Sequence, residues 1–186
     1  MHLLLLDRHG DAAPGVAVML QKIVSGGQTG VDQAALRAAR AIGLATGGRM
    51  PLGYRTLAGP RPDLAVEFGL TEHESQDYAP RTSANVRESD ATLRIAVDFA
   101  SAGERCTMSA IVRHERLHLD VAIERVFTPW VLWAVAPQPR EVASWLVEKD
   151  VVVLNVAGNS ELTAPGIGAF AERYLRMLFS FARGMS

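Results

Sequence analysis

Short apolar runs alternate along this chain with longer segments whose apolar residues recur three and four positions apart, a rhythm that predicts strands and helices in turn. The run Lys22-Ile23-Val24 predicts a strand and breaks at once into Ser25-Gly26-Gly27-Gln28-Thr29-Gly30. From Val31 to Ile42, alanines with Leu36 and Ile42 on one side and Arg37 and Arg40 on the other predict a helix slim enough to lie close against a sheet, ended by Gly43. The glycine- and proline-rich stretch from Ala45 to Pro62 reads as one long loop, and Asp63 to Phe68 as a short helix. Leu70 then leads into a polar connection containing Glu72, His73, Glu74 and Asp77. Arg81-Thr82 opens a helix running through Asn85 and Ser89, with Thr82 or Ser83 as its cap.

The second half continues the rhythm. Ala91 to Val97 predicts a strand, Ser101 to Thr107 a loop, Met108 to Arg116 a helix, and Leu117 to Val121 a strand in which His118 alternates with apolar neighbours. Between Ile123 and Ala136, Phe127, Trp130 and Trp133 sit in an apolar stretch of the wrong length for a membrane span, which predicts an inserted strand or hairpin packed on the core, or a subunit contact. Val142, Trp145 and Leu146 mark an amphipathic helix, Val151 to Val156 a buried strand. A last helix, with Pro165 in its first turn, buries Ile167, Phe170, Tyr174, Met177, Leu178 and Phe181. Strands alternating with helical crossovers predict an α/β doubly wound, mostly parallel sheet with helices on both faces.

Composition adds bounds. With 186 residues, 48% of them hydrophobic and 21% charged, the chain is long enough for one sizeable core. A net charge of −1 argues against nucleic acid or an anionic membrane as partner. Cys106 is the one cysteine, so no intrachain disulfide forms, and with no signal peptide the expected location is the cytoplasm. No Cys and His spacing suggests a structural metal site. Residues 1–18 read as a loosely held N-terminal extension, with an edge strand at Leu3 to Leu6 as the competing reading, and residues 19–186 as one ligand-binding domain.

The candidate chemistry centres on the first glycine-rich turn. Gly26, Gly27 and Gly30 let backbone approach a ligand closely, and amides at a helix start favour negative charge, so a phosphorylated small molecule is the expected ligand. The loop has neither the lysine of a P-loop nor the spacing G-x-G-x-x-G. Thr29 and Asp32 also fit a capping box. Arg81, whose planar fork matches a phosphate, is the best-placed cation; its alternative is an ion pair with Glu88 or Asp90. Tyr54 and Arg55 are further ligand contacts or solvated loop residues. Glu104 and Asp32 are the nominated carboxylates for acid or base work, neither with a basic partner evident in sequence. Cys106 reads first as a small buried residue.

Several ordered motifs together resemble a known family: Ser25-Gly26-Gly27-Gln28-Thr29-Gly30-Val31-Asp32, Gly47-Gly48 before Pro51-Leu52-Gly53, Tyr78-Ala79-Pro80-Arg81-Thr82 with Asn85-Val86, Ser89 to Leu93, and Leu154 to Gly158 before Pro165-Gly166-Ile167. This set looks like the molybdenum cofactor carrier family, a Rossmann-like group related to the lysine-decarboxylase-like phosphoribohydrolases and the DNA-processing protein A family. The resemblance implies a homo-oligomer, tetramer or dimer, that holds the molybdenum cofactor (molybdopterin) through its phosphate without turnover. The implied cleft is lined by Ser25, Gly26, Gly27, Gln28, Thr29, Gly30, Arg55, Arg81, Thr82, Asn85, Thr107 and Asn155. Two departures stand out. Residues 101–107 lack the family's second glycine-threonine loop, and Asn159 stands where a cation is usual. The alternative is a nucleotide-binding member of the superfamily, either a nucleoside monophosphate phosphoribohydrolase or a sensor of a nucleotide-derived ligand; the hydrolase pattern Pro-Gly-Gly-x-Gly-Thr-x-x-Glu is absent.

Overall fold

The computed structural model describes residues 20–127 and 131–184. The readings for residues 1–18 and for Trp130 lie outside them. In chain order the elements are β1 (Lys22–Val24), α1 (Val31–Ala41), β2 (Ala45–Met50), β3 (Arg55–Thr56), β4 (Gly59–Pro60), α2 (Asp63–Phe68), β5 (Leu70–Glu72), α3 (Tyr78–Arg87), β6 (Ala91–Ala96), α4 (Ala102–Arg113), β7 (Leu117–Phe127), β8 (Val131–Ala136), α5 (Pro139–Glu148), β9 (Val153–Gly158) and α6 (Ile167–Gly184). Seven strands form one sheet in the order β5-β2-β1-β9-β6-β7-β8, and β3 and β4 form a separate small hairpin. Every pairing in the large sheet is parallel except β7 with β8. This is the expected α/β, Rossmann-like architecture.

The order explains where a ligand can enter. From β1 the chain moves outward through β2 to β5, then crosses to β6 and moves the other way through β7 to β8, before β9 returns to fill the gap between β1 and β6. The crossovers diverge at that central gap, and such a divergence leaves a crevice beyond the carboxyl ends of the strands.

Side-chain alternation assigns the two faces. Leu93 and Ile95 of β6 and Leu154 and Val156 of β9 join α1, α5 and α6 in the main core, while Thr92, Arg94 and Asn155 turn to the other face, where Arg94 meets α4. Burying each of those aliphatic side chains contributes roughly 1.5–3 kcal/mol before entropy is counted. Helix α1 is buried on nearly every side because α6 covers the face turned from the sheet, which is why so many of its positions are alanine. Tyr174 of α6 keeps its hydroxyl satisfied by donating to the carbonyl of Pro137 at 2.7 Å.

Local sequence reading erred in five places. The stretch from Ala45 to Pro62 is not one loop: its first part is β2, paired with β1 from Lys22 opposite Ala45 to Val24 opposite Gly47. Gly48, one of the glycines that suggested a loop, is there because the backbone crowds it: a Cβ on Gly48 would lie 2.1 Å from the carbonyl oxygen of Ser25. The connection after Phe68 contains the short edge strand β5. Helix α3 begins at Tyr78 after Asp77, so Arg81 is already inside it, and the Thr82 hydroxyl donates to the Tyr78 carbonyl at 2.9 Å and caps nothing. Helix α4 begins at Ala102, with Ser101 accepting the Glu104 amide as its cap, so Glu104, Cys106 and Thr107 are helical. Met177 is about half exposed and outside the core. The stretch from Ile123 to Ala136 is the second half of a β7–β8 hairpin, with Ile123 buried and Val135 packed on the main core.

Candidate functional site

The first loop closes on its own acid. Asp32, in the first turn of α1, is 4% exposed and turns its carboxylate back to accept the Gln28 amide at 3.2 Å. Burial pushes its pKa up, while Arg81 and the amides of Gln28 and Gly26 pull it back. Three more amides of this segment are also taken: Ser25 donates to Gly47, Thr29 to the Gln28 side chain, and Val31 to the carbonyl of Asn159. The predicted capping box does not form, because Gly30 is the cap and Asp32 reaches Gln28 instead of Thr29. Gly30, at φ +93, fits since a Cβ there would sit 2.5 Å from the Asn159 carbonyl.

Arg81 projects from α3 over Gly26, where any Cβ would collide with its guanidinium. Its Nη1 lies 3.5 Å from Asp32 Oδ2 and its charge 5.6 Å from the centre of the Tyr78 ring. Among the described residues, Arg81 Nε is buried with no hydrogen-bond partner. The ion pairs weighed from sequence are not made: Glu88 bonds Arg49 and Arg87, and Asp90 accepts the amides of Val152 and Val153.

A second charged group forms the opposite wall. Glu104, 2% exposed, has its Oε2 at 3.6 Å from Nη1 of the buried Arg94 and makes no hydrogen bond through that oxygen. Arg94 gives its fork to Asp120, Nε to Oδ1 at 2.8 Å and Nη2 to Oδ2. Burial, opposed by Arg94 and assisted by Asp32, raises the Glu104 pKa to about 7. Both nominated carboxylates therefore have basic partners, supplied by residues distant in sequence.

Between these walls lies a cleft of about 470 Å³. It collects Gly26, Gln28, Arg81, Thr82, Asn85, Thr107 and Asn155 from the residues expected from sequence, and adds Asp32, Tyr78, Glu104, Cys106 and Ser160. The first turns of α3 and α4, at Tyr78-Ala79 and Ala102-Gly103, also border it. Helix geometry leaves such first-turn amides without intrahelical acceptors. The rest of the expected set lies elsewhere. The Ser25 hydroxyl donates to Val156 O at 2.7 Å, and a side chain on Gly27 would meet Met50 and Leu70. Thr29 and Gly30 sit behind the lining, and Arg55 is exposed on β3. Tyr54 packs against the small core of Leu36, Met50, Leu64, Phe68 and Leu70.

Several lining residues have structural duties as well. Asn85 brackets the backbone of Arg49, accepting its amide at 2.8 Å and donating to its carbonyl at 3.2 Å. Asn155 donates to Thr92 on the neighbouring strand. Asn159, where a cation was expected, accepts the amides of Val97 and Asp98 at 2.9 Å each and so ties the end of β9 to the end of β6. Glu104 was nominated only as a carboxylate and Asn159 noted only as a departure from the family's pattern, and nothing in the local sequence announced the partners that bury them.

Residues 23–179 match the model of the Circularly permutated YpsA SLOG family. The chain belongs to this family. The match runs from β1 into α6 and so takes in every wall of the cleft. Among solved structures, the SLOG chain is similar to a "putative molybdenum carrier protein" from Syntrophus aciditrophicus SB, with a TM-score of 0.71 and 28% identity over 88% of this chain and 95% of that one. No curated protein matches it in sequence. Among the described residues of this SLOG chain, no helix is long and apolar enough to cross a membrane, and no three His, Cys, Asp or Glu side chains group as metal ligands.

Proposed function

We propose that this SLOG chain is a carrier that binds the molybdenum cofactor by its pterin phosphate and does not turn it over. The observation that carries the reading is the convergence of two helix starts, α3 and α4, with Arg81 on one cleft. Exposed first-turn amides and a guanidinium are a phosphate-binding set. The volume falls in the usual range for small-molecule sites, and the buried, partnerless Nε of Arg81 is a donor waiting for an acceptor. The residues present thus fit the phosphate of the cofactor, with Arg81 and the amides of Ala102 and Gly103 holding it. The likeness to a protein named as a molybdenum carrier supports this ligand over others. We infer a homo-oligomeric working form, supported by the family resemblance and by the edge position of β8.

Native mass spectrometry of freshly purified protein, followed by titration with molybdenum cofactor, tests both points. Saturable binding with unchanged cofactor is the expected result, and absence of binding would refute the carrier. One observation favours a second reading, a nucleoside monophosphate phosphoribohydrolase: Asp32 and Glu104 are two buried carboxyls lining one cleft, and burial raises the pKa of each toward the range in which a carboxyl can act as a general acid. Release of free base from a nucleoside monophosphate is its test.

A further inference from the structure

We propose that Glu104 contacts the ligand and carries a proton into the complex: the cleft takes up its phosphate together with a neutral Glu104 carboxyl, whose O–H donates a hydrogen bond to a phosphate oxygen. This rests on the phosphate-binding reading above and specifies how that cleft tolerates its own acids. Glu104 is the third residue of α4, so a phosphate on the amides of Ala102 and Gly103 lies within a turn of its carboxyl. The groups that face it are Arg94 of β6, Asp120 of β7, Asp32 of α1, and Asp98 from the connection before α4. Arg94 is committed to Asp120, which it meets with two nitrogens, and Arg81 of α3 is shared with Asp32. Two guanidiniums thus serve three carboxyl groups, with Asp98 adding its charge nearby, and a phosphate adds further negative charge. Removing the charge of one carboxyl relieves that excess, and Glu104 is the one whose inner oxygen has no hydrogen bond to lose.

Protonation also supplies the missing chemistry. An ionised carboxylate only accepts hydrogen bonds, as does a phosphate dianion, so the two repel; a neutral carboxyl is a donor. With its pKa raised to about 7, Glu104 can exchange that proton with solvent near neutral pH. The proton comes from water on binding and returns on release, with no other bond made or broken.

The test is anaerobic equilibrium dialysis of molybdenum cofactor, freed from a purified molybdoenzyme, against wild type and Glu104→Gln at pH 6 and pH 8. The phosphate has its own ionisation near pH 6, but this is common to both proteins and cancels in their comparison. Wild type should bind about tenfold more weakly at pH 8 than at pH 6 relative to the variant, as one linked proton requires. Glu104→Gln, which keeps a donor without a charge, should bind about as tightly as wild type at pH 6 and about tenfold more tightly than wild type at pH 8. A variant that keeps the full pH slope, or a wild type with none, overturns the proposal while leaving the carrier intact. Tighter wild-type binding at pH 8 also overturns it, by making Glu104 an acceptor for a ligand N–H. If wild type binds no cofactor at either pH, the carrier reading falls and takes this inference with it.

Discussion

Replacing Glu104 with Gln should stabilise the folded protein at pH 8 and change it little at pH 5. In the folded chain this carboxyl titrates at about 7 against an ordinary 4.5, because burial penalises its charge more than Arg94 relieves it. A raised pKa means that folding favours the protonated form. Its benefit is complete below pH 4.5 and is lost as pH rises toward 7, beyond which the loss stays constant. A rise from 4.5 to about 7 corresponds to about 3 kcal/mol. Roughly 2.5 kcal/mol of this falls between pH 5 and pH 8. Glutamine has nearly the same shape and no charge to bury, and Arg94 keeps its 2.8 Å bond to Asp120, so no guanidinium is orphaned. Urea unfolding of both proteins at the two pH values reads the difference directly. Asp32 and the surface carboxylates titrate in both proteins and largely cancel. A variant less stable than wild type by the same margin at pH 5 and pH 8 would refute the reasoning, since the Arg94 attraction would then outweigh desolvation.

Arg81→Ala should weaken binding of molybdenum cofactor by about 1.5–3 kcal/mol, roughly tenfold or more in Kd, as expected for a charge-assisted contact; undiminished affinity in dialysis would make Arg81 purely structural. Gly48→Ala places a Cβ 2.1 Å from the Ser25 carbonyl at a φ of +133, so β1 and β2 must separate; a loss of at least about 2 kcal/mol is expected in urea unfolding, and a wild-type midpoint would contradict the packing. Asn159→Ala strands the amides of Val97 and Asp98 and should cost about 2 kcal/mol or more, whereas Asn159→Asp retains the acceptor and should recover most of the loss in the same assay.

The fold was legible wherever a single element carries its own signal. The β-branched run before Asn155, the alanine face of α1 and the three- and four-residue spacing in α6 each depend on burial against one sheet, and each element was found, with Met177 the one residue of α6 wrongly placed in the core. The errors share a cause. Strand β2 reads as a loop because Gly48 answers to the close approach of the Ser25 backbone at the end of β1, a tertiary demand invisible in local propensity. The starts of α3 and α4 were placed too late because Asp77 makes no side-chain cap and Ser101 was assigned to a glycine loop through the family resemblance. At the site, Arg81, Thr82, Asn85 and Asn155 were found from motifs, since each lies at the carboxyl end of the sheet. Glu104 was visible only as a carboxylate without a partner. Arg94 is ten residues earlier and Asp120 sixteen later, on strands whose adjacency only the sheet order reveals.

Asp32 gives the first loop its present role. A strand, a glycine turn and a helix start normally make an anion site, and here the anion is built in: the Asp32 carboxylate takes the amides of Gln28 and Gly26. A ligand phosphate in that position would have to displace a side chain held by α1 itself. The same carboxylate stands 3.5 Å from Arg81, whose guanidinium also lies over the face of the Tyr78 ring. Asp32 therefore acts as a positioning residue, fixing a guanidinium over Gly26 before any ligand arrives. An arginine already held in place loses little side-chain entropy on binding, so most of its attraction for a phosphate is retained. The loop that most resembles a phosphate cradle thus orients the cation, and under the proposed carrier function the phosphate would be left to the helix starts across the cleft.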